Sequence, residues 1–161
     1  MLWPFSPRPV DPAIRRLTQR QAGACAEIHS AFFARPWGAG EIEDLLRQKE
    51  VVADAAVDGR GKKVFGFAIS RVLCPEAEIL TIAVDRRFQG KGIGRALLAA
   101  HLARLAAAGA QHVFLEVAEA NASAVKLYRS FGFAQVGQRP GYYAMKDGSR
   151  ATALVFRAEL V

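Results

Sequence analysis

One junction constrains this chain more than any other. The apolar run Ile79-Leu80-Thr81-Ile82-Ala83-Val84 is followed by Gln89-Gly90-Lys91-Gly92-Ile93-Gly94-Arg95, and an Ala/Leu-rich stretch then continues to Gly109. The three pieces read as a strand, a glycine loop and a helix beginning in the loop. The first N–H groups of a helix have no partner within it, and they sit at the positive end of its dipole. Such a terminus binds phosphate oxygens, and glycines let the backbone approach them closely. Lys91 and Arg95 add full positive charges. The junction predicts a site for a phosphate-bearing ligand.

Two common nucleotide loops do not fit. A P-loop requires Ser or Thr directly after its Gly-Lys pair, and here Gly92 follows Lys91. A dinucleotide fold places an acidic residue about 20 positions beyond its glycines. Gln111 and His112 stand there instead.

With 161 residues, 52% of them hydrophobic, the chain has enough apolar material for one core. We expect residues 1–12 to form a flexible proline-rich arm and residues 13–161 a single domain. The arm has no apolar signal-peptide core, and no apolar run reaches the ~18 residues of a membrane span. Cys25 and Cys74 are 49 positions apart without metal-ligand spacing, and are expected as reduced, buried thiols of a cytoplasmic protein. His29, His101 and His112 make no ligand pair, so no metal is expected.

The net charge of +7 is uneven. Residues 1–50 hold 7 basic and 6 acidic side chains, a balance of +1, whereas residues 60–95 hold 8 basic and 3 acidic, a balance of +5. The excess flanks the glycine loop. An anionic ligand accounts for it, although ordinary solvating charges would look the same outside Lys91 and Arg95. No basic stripe interleaved with aromatics is present, which argues against DNA as a partner.

Local patterns extend the reading. Ala13 to Leu17 is a short strand. Thr18 caps a helix reaching Phe32, with Ala22, Cys25, Ile28, His29 and Phe32 on one face. Pro36-Trp37-Gly38 interrupts, and Glu41 to Lys49 is a second helix, acidic at its start and basic at its end. Val51–Val57, Lys63–Leu73 and Glu78–Val84 read as an antiparallel meander. After the loop and its helix come a strand from His112 to Val117 and a helix capped by Asn121 and ending at Phe131. Phe133–Gly137 and Ala153–Ala158 are closing strands with a long loop between them. The order is β-α-α-β-β-β-α-β-α-β-β.

The Q-x-x-G-x-G pattern of Gln89 to Gly94 resembles the acetyl-CoA loop of the GNAT superfamily of N-acetyltransferases, and the element order is that superfamily's order from about residue 13 to 158. A narrower resemblance, to the RimI type, lies in Ala31–Trp37, Glu78–Val84, Leu115-Glu116-Val117, Asn121–Ala124, Leu127–Phe133 and Arg139-Pro140-Gly141-Tyr142-Tyr143. RimI-type enzymes acetylate the N-terminal alanine of a small-subunit ribosomal protein. The resemblance implies an α/β fold of the GNAT kind (an α+β mixed sheet). It would be a central twisted mixed sheet of about six or seven strands with helices on both faces.

The resemblance also assigns roles. The pyrophosphate of acetyl-CoA would rest on Gln89, Gly90, Lys91, Gly92, Ile93, Gly94 and Arg95. Its pantetheine arm would pair with the backbone of Ile82, Ala83 and Val84, splayed from the next strand, and with Asn121. A backbone N–H there would support the thioester oxygen. Glu116 would be the general base, acting through water, and period-2 spacing sets it beside Phe114 among apolar groups. Tyr128 would be the general acid, its phenol near ~10 facing a thiolate near ~8.5. Tyr142 and Tyr143 would line the peptide groove, in a loop from Arg139 to Thr152. Glu41, Glu43 and Asp44 could face a basic residue of the peptide. Each has a plainer reading: an edge glutamate, a core tyrosine beside Phe131 and Phe133, a hairpin tip, a solvated helix start.

An α-amine is cheaper to deprotonate than a lysine by roughly 2.5 pH units, about 3.4 kcal/mol, which favours an N-terminal substrate. The departures from the family are the N-terminal arm and the missing proline after the tyrosine pair, and both bear on substrate choice. The expected partners are a protein N-terminal peptide and a ribosome contact, with no membrane, from a monomer or weak dimer. The alternatives are an acetyltransferase for lysine or a small amine, and a non-catalytic acetyl-CoA sensor. A sensor has no need of both Glu116 and Tyr128.

Overall fold

The computed structural model describes residues 11–160; the first ten residues of the expected arm, and Val161, lie outside the described residues. Seven strands form one sheet: β1 (Ala13–Arg16), β2 (Val51–Val57), β3 (Val64–Leu73), β4 (Glu76–Val84), β5 (His112–Ala118), β6 (Ala134–Ala144) and β7 (Arg150–Glu159). Their order is β1-β2-β3-β4-β5-β7-β6. Only β4 and β5 are parallel neighbours. They are joined by the crossover helix α3 (Ile93–Ala107). The other helices are α1 (Ala22–Ser30), α2 (Ala39–Arg47) and α4 (Ala122–Ser130).

The sheet alternates its side chains between two helical layers. Ala53, Ala55 and Val57 of β2 and Phe67 and Ile69 of β3 pack with Cys25 of α1 and Ile42 of α2. Ala56 and Ala68, one position out of phase, pack with Ile93 and Leu97 of α3. Further along, Leu98, Leu102 and Leu105 of α3 join Ile79, Val113, Leu115, Phe156 and Tyr128 of α4. Leu97, Leu98 and Leu105 are fully buried, each worth roughly 1.5–3 kcal/mol of transfer free energy.

The order expected from the sequence holds, with local differences. A 3₁₀ turn, Gln19–Gln21, precedes α1, and Gln21 Oε1 accepts from the Thr18 N–H at 2.9 Å. α1 ends at Ser30, so Phe32 stands beyond it and is 36% exposed rather than on the buried face. α2 starts two residues earlier than Glu41, because Gly38 supplies an extended N-cap whose N–H points to Glu41 Oε1. Cys25 is buried, which pushes its thiol up to about 12, but Cys74 is exposed, contrary to expectation. It follows β3 directly, with its thiol 3.4 Å from the Ala108 carbonyl.

The largest difference is at the C-terminal end. The expected long loop is mostly strand: β6 runs on to Ala144 and turns within Met145–Ser149 into β7. Pro140 and Gly141 lie inside β6, which is an edge strand. An edge tolerates a missing donor and a bulge. Between Arg139↔Ala153 and Tyr143↔Ala151 the register slips, with Gly141 at φ +62°.

A polar quartet is sealed between the sheet and α3. His101 Nδ1 lies 2.7 Å from Asp54 Oδ2, and His101 Nε2 lies 2.6 Å from Ser70 Oγ. Arg104 Nε is 2.9 Å from Asp54 Oδ1, off the line of a good hydrogen bond. With Nδ1–H donating to the carboxylate, Nε2 accepts from the serine hydroxyl. The order matches a Ser-His-Asp triad, but all three side chains are fully buried and no substrate reaches them. The quartet pins α3 to β2 and β3. Replacing His101 with Ala leaves Asp54 with Arg104 as its remaining partner and Ser70 without its acceptor, and losing a hydrogen bond to a buried charged group costs about 1.5–3 kcal/mol. Urea denaturation of His101→Ala is expected to show a loss of that order; a change under about 1 kcal/mol would mean that water substitutes for the ring.

Candidate active site

β4 and β5 pair only from Glu76↔His112 to Ile79↔Leu115. Beyond that point β4 stays on β3 as far as Val84, and β5 stays on β7 as far as Ala118. The two strands therefore diverge as a V. The cause is local: β3 and β4 slip register between Ile69↔Thr81 and Ser70↔Ile79, which leaves Leu80 as an extra residue. A bulge bends its strand, and here it turns β4 away from β5. Gly66 holds the bent end close, because a Cβ there would sit 2.8 Å from the Ala83 carbonyl oxygen. The β5-facing backbone groups of Ile82, Ala83 and Val84 are left without a strand partner.

The glycine loop closes the mouth of this V. Gly90 and Gly92 adopt φ +74° and +80°, a region that disfavours side chains, and Gly92 is the N-cap of α3. Gln89 Nε2 donates to the Val84 carbonyl at 3.0 Å, tying the loop to the end of β4. On the far side, Asn121 Oδ1 accepts from Ala124 N–H at 3.3 Å and starts α4. Between them lies a cleft of about 450 Å³. Ile82, Ala83, Val84, Gln89, Gly90, Gly92, Ile93, Gly94, Asn121 and Tyr128 all line it. So do Phe32, Phe33 and Phe88, which sequence reasoning did not assign. Phe88 carried a usable signal, an aromatic directly before Gln89, and in the fold it packs on Phe65 at 4.6 Å.

Tyr128 is both core and cleft. Its ring meets Phe133 at 5.8 Å and Phe156 at 6.5 Å. Burial, with a smaller contribution from Tyr143, pushes its phenol well above the usual tyrosine range. It remains a neutral O–H donor near neutral pH.

Glu116 stands on the opposite face of the sheet from Leu115 and Val117, within the diverging part of β5. The expected apolar setting is corrected: Arg139 Nη1 lies 2.9 Å from Glu116 Oε1. The reason is the continuation of β6, which brings Arg139 across β7. The same guanidinium lies 3.8 Å from the centre of the Tyr142 ring. Tyr143 is pushed up to about 12, chiefly by burial and then by Glu116 and Tyr142. Tyr143 also acts on Tyr128. The two candidate catalytic groups thus share a neighbour. Thr81 adds a group the sequence did not flag, a buried hydroxyl without a protein partner among the described residues.

Other candidates are occupied elsewhere. Arg95 turns toward α4, donating to Ser130 Oγ at 3.1 Å and lying over Phe131. Lys91 and Arg95 do not line the cleft, nor do Glu116, Tyr142 and Tyr143. Glu41 caps α2, and Glu43 and Asp44 pair with Arg47 at the helix surface. The segment after α1 is fixed by a stack of Phe33, His29 and Trp37, with ring centres 4.1 and 4.8 Å apart. His29 Nδ1 accepts from the Trp37 N–H at 3.1 Å, and burial lowers its affinity for a proton. Lys146, in the β6–β7 turn, donates to the Ser30 carbonyl and ties the hairpin to the end of α1. Among the described residues no cluster of three His, Cys, Asp or Glu could hold a metal, and no helix is long and apolar enough to cross a membrane.

Comparison with known proteins agrees with this geometry. Residues 22–133 match the model of the acetyltransferase (GNAT) family. A [ribosomal protein bS18]-alanine N-acetyltransferase of Haemophilus ducreyi is 33% identical over 142 residues, covering 88% of this chain and 96% of that protein. The enzyme of the same name from Escherichia coli K12 is 42% identical over 125 residues, 78% of this chain and 82% of that protein. The crystal structure of the Escherichia coli ribosomal-protein-S18-alanine N-acetyltransferase superposes with a TM-score of 0.83 at 30% identity, covering 92% of this chain and 94% of that one. By family model and by relatives matched over most of their length, the chain belongs to the GNAT acetyltransferase family.

Proposed function

We propose that this chain transfers the acetyl group of acetyl-CoA to the N-terminal α-amine of a protein, with the N-terminal alanine of a small-subunit ribosomal protein as the substrate. The observation that carries the reading is the V between β4 and β5, opening beside the glycine loop with Tyr128 on its wall. The relatives named for alanine N-acetylation support the choice of amine. A cytoplasmic setting and contact with the ribosome follow from that substrate.

The residues present suit acetyl-CoA, which supplies the acyl group as a thioester. Gly90, Gly92, Ile93 and Gly94 offer N–H groups at the start of α3 to a pyrophosphate, and Gln89, its own N–H bonded to the Arg86 carbonyl, lies beside them. The open backbone edge of Ile82, Ala83 and Val84 can pair with an amide-bearing arm, and one of its N–H groups can support developing charge on the acyl oxygen. Asn121 stands at the opposite wall.

Glu116 takes the proton of the attacking amine through water, consistent with its place across β5 from the cleft-lining groups. Tyr128, the acid of the reaction, directs its O–H at the departing sulfur. A phenol held neutral by burial is always ready to donate, but transfer to a free thiolate would be uphill, so its main effect is a hydrogen bond to the sulfur as charge develops. Tyr142 and Tyr143, on the hairpin tied to α1 by Lys146, bound the peptide on the Glu116 side.

Three measurements check this reading. Thiol release from acetyl-CoA is expected with an Ala-Arg-led peptide, and not when its N-terminus is blocked and an internal lysine is left free; release only from the blocked peptide would transfer the activity to lysine. Tyr128→Phe is expected to lower kcat about 10²-fold while acetyl-CoA affinity stays within about twofold, as stopped-time kinetics and calorimetry would show. Gly94 lies outside the positive-φ region, and a Cβ there meets Leu127 and Val84 at an ordinary 3.7 Å. Gly94→Glu should therefore fold normally yet fill the phosphate end of the cleft, weakening acetyl-CoA binding at least about tenfold; unchanged binding would move the phosphate site away from this loop.

A further inference from the structure

We propose that Arg139 is a positioning residue for Glu116: its guanidinium holds one carboxylate oxygen and turns the other toward the opening between β4 and β5. The inference rests on Glu116 serving as the base of the reaction above.

Arg139 reaches Glu116 only because of how β6 is built. Glu116 pairs with Val155 of β7, which pairs with Gly137 of β6. Ala118 pairs with Ala153, which pairs with Arg139. Side chains two apart on a strand share a face, as do direct cross-strand partners. Glu116, Ala118, Ala153, Val155, Gly137 and Arg139 therefore lie on one face, and Ala118, Ala153 and Gly137 leave a low floor beside Val155. Across it the guanidinium spans the width of β7 to Glu116 Oε1, 2.9 Å away. Among the described residues, Oε2 has no hydrogen-bond donor.

The bulge then locks the guanidinium from behind. Residues three apart on a regular strand face opposite ways, yet Tyr142 presents its ring to Arg139 at 3.8 Å. The register slip between Arg139 and Tyr143 makes this contact possible. Arg150 Nε donates to the Gly141 carbonyl at 2.7 Å and fixes the slip. Bulges beside active sites commonly re-aim a side chain, and the one re-aimed here, Tyr142, braces the guanidinium bound to the candidate base.

Other charged groups near this face are committed elsewhere. Arg157 of β7 bonds His112 and lies near Glu159 and the Phe114 ring. Lys146 bonds the Ser30 carbonyl, and Arg150 bonds Gly141. Glu78 of β4 is paired with Phe114, one strand repeat below Glu116. From β6, Tyr142 and Tyr143 face the pair, Tyr143 as a phenol kept neutral chiefly by burial, and Tyr128 of α4 lies beyond Tyr143. A half-exposed pair of this kind adds little stability, about 0–1 kcal/mol, so a structural role alone is a poor account of such a constrained arrangement.

The test compares wild type, Arg139→Ala and Arg139→Lys for acetyl-CoA affinity by calorimetry and for kcat and KM with an Ala-led peptide across pH. For Arg139→Ala we expect unchanged acetyl-CoA affinity, since the residue does not line the cofactor cleft. We also expect kcat lowered roughly ten- to a hundredfold and the acid limb of the kcat/KM profile moved to higher pH, because the carboxylate has lost its cation. Arg139→Lys should restore much of kcat and return the limb toward wild type. Wild-type kcat and an unmoved acid limb in Arg139→Ala would overturn the proposal, as would a loss confined to KM. If instead wild type itself turns over no peptide, while still binding acetyl-CoA, the failure belongs to the N-terminal acetyltransferase reading and takes this inference with it. Arg139→Lys also guards against misfolding of the alanine variant, since it keeps the alkyl stem and the charge.

Discussion

Everything functional in this molecule depends on one strand pair that stops pairing. β4 and β5 share four residue pairs and then separate, although both continue for several residues. Leaving backbone groups without partners costs free energy, so the opening must be held by stronger constraints on either side. β4 is held by β3 through Val84, and its path at that end leaves room for no side chain at Gly66. β5 is held by β7 along its full length. The extra residue Leu80 turns the divergence into the relaxed geometry of β4. A ligand that offers amide groups recovers what the opening leaves unpaired, which is why the same feature that weakens the sheet can strengthen binding.

The opening is only useful if the glycine loop stays in register with it. That loop leads into α3, so the position of the helix sets the position of the proposed phosphate site. α3 is fastened twice. Leucines seal it to the sheet around its length, but apolar contacts are non-directional and allow small slides. The Asp54–His101–Ser70 chain is directional, joining α3 to two strands through side chains with no exposed surface. A fully enclosed hydrogen-bonded chain specifies one arrangement, and here it lies two turns beyond the N-terminus that the cleft uses.

Much of this was legible in the sequence because the signals were local. Asn121 as a cap, Gly109 at φ +98° after α3, the meander of β2 to β4 and the loop glycines each follow from a short motif. What stayed hidden was non-local. Pro140 and Gly141 look like the end of a strand, and only their edge position, which depends on the order of all seven strands, makes them tolerable there. Missing that extension meant missing the partner of Glu116. The buried role of Asp54 was equally invisible, since nothing near it in sequence announces His101 across 47 positions. Phe32 was assigned to a helix face by spacing, and the helix ends before reaching it. The charge excess around the loop was real, but Arg86, Arg87 and Arg95 are bonded to Ala31, Asp85 and Ser130 rather than left free. A count of cations does not separate a ligand site from a braced surface.

The two candidate catalytic groups approach from opposite sides of the sheet, and this has a consequence for the order of chemistry. Tyr128 belongs to the layer of α3 and α4, packed with Phe133 and Phe156. Glu116 belongs to the other face, with Arg139 and the tyrosine pair of the hairpin. A continuous sheet would separate them completely. The opening where β4 has left β5 is the break in that separation, a single window for the proposed acyl donor on the helix side and amine on the hairpin side. Such a layout suits direct transfer within a complex holding both substrates. It gives no reason for an acyl-enzyme: Cys25 is buried with its thiol held protonated, and Cys74 lies at the far end of β3 from the window. The separation across the sheet also leaves the buried phenol among aromatic neighbours and the carboxylate beside its guanidinium, two different environments on either side of one opening.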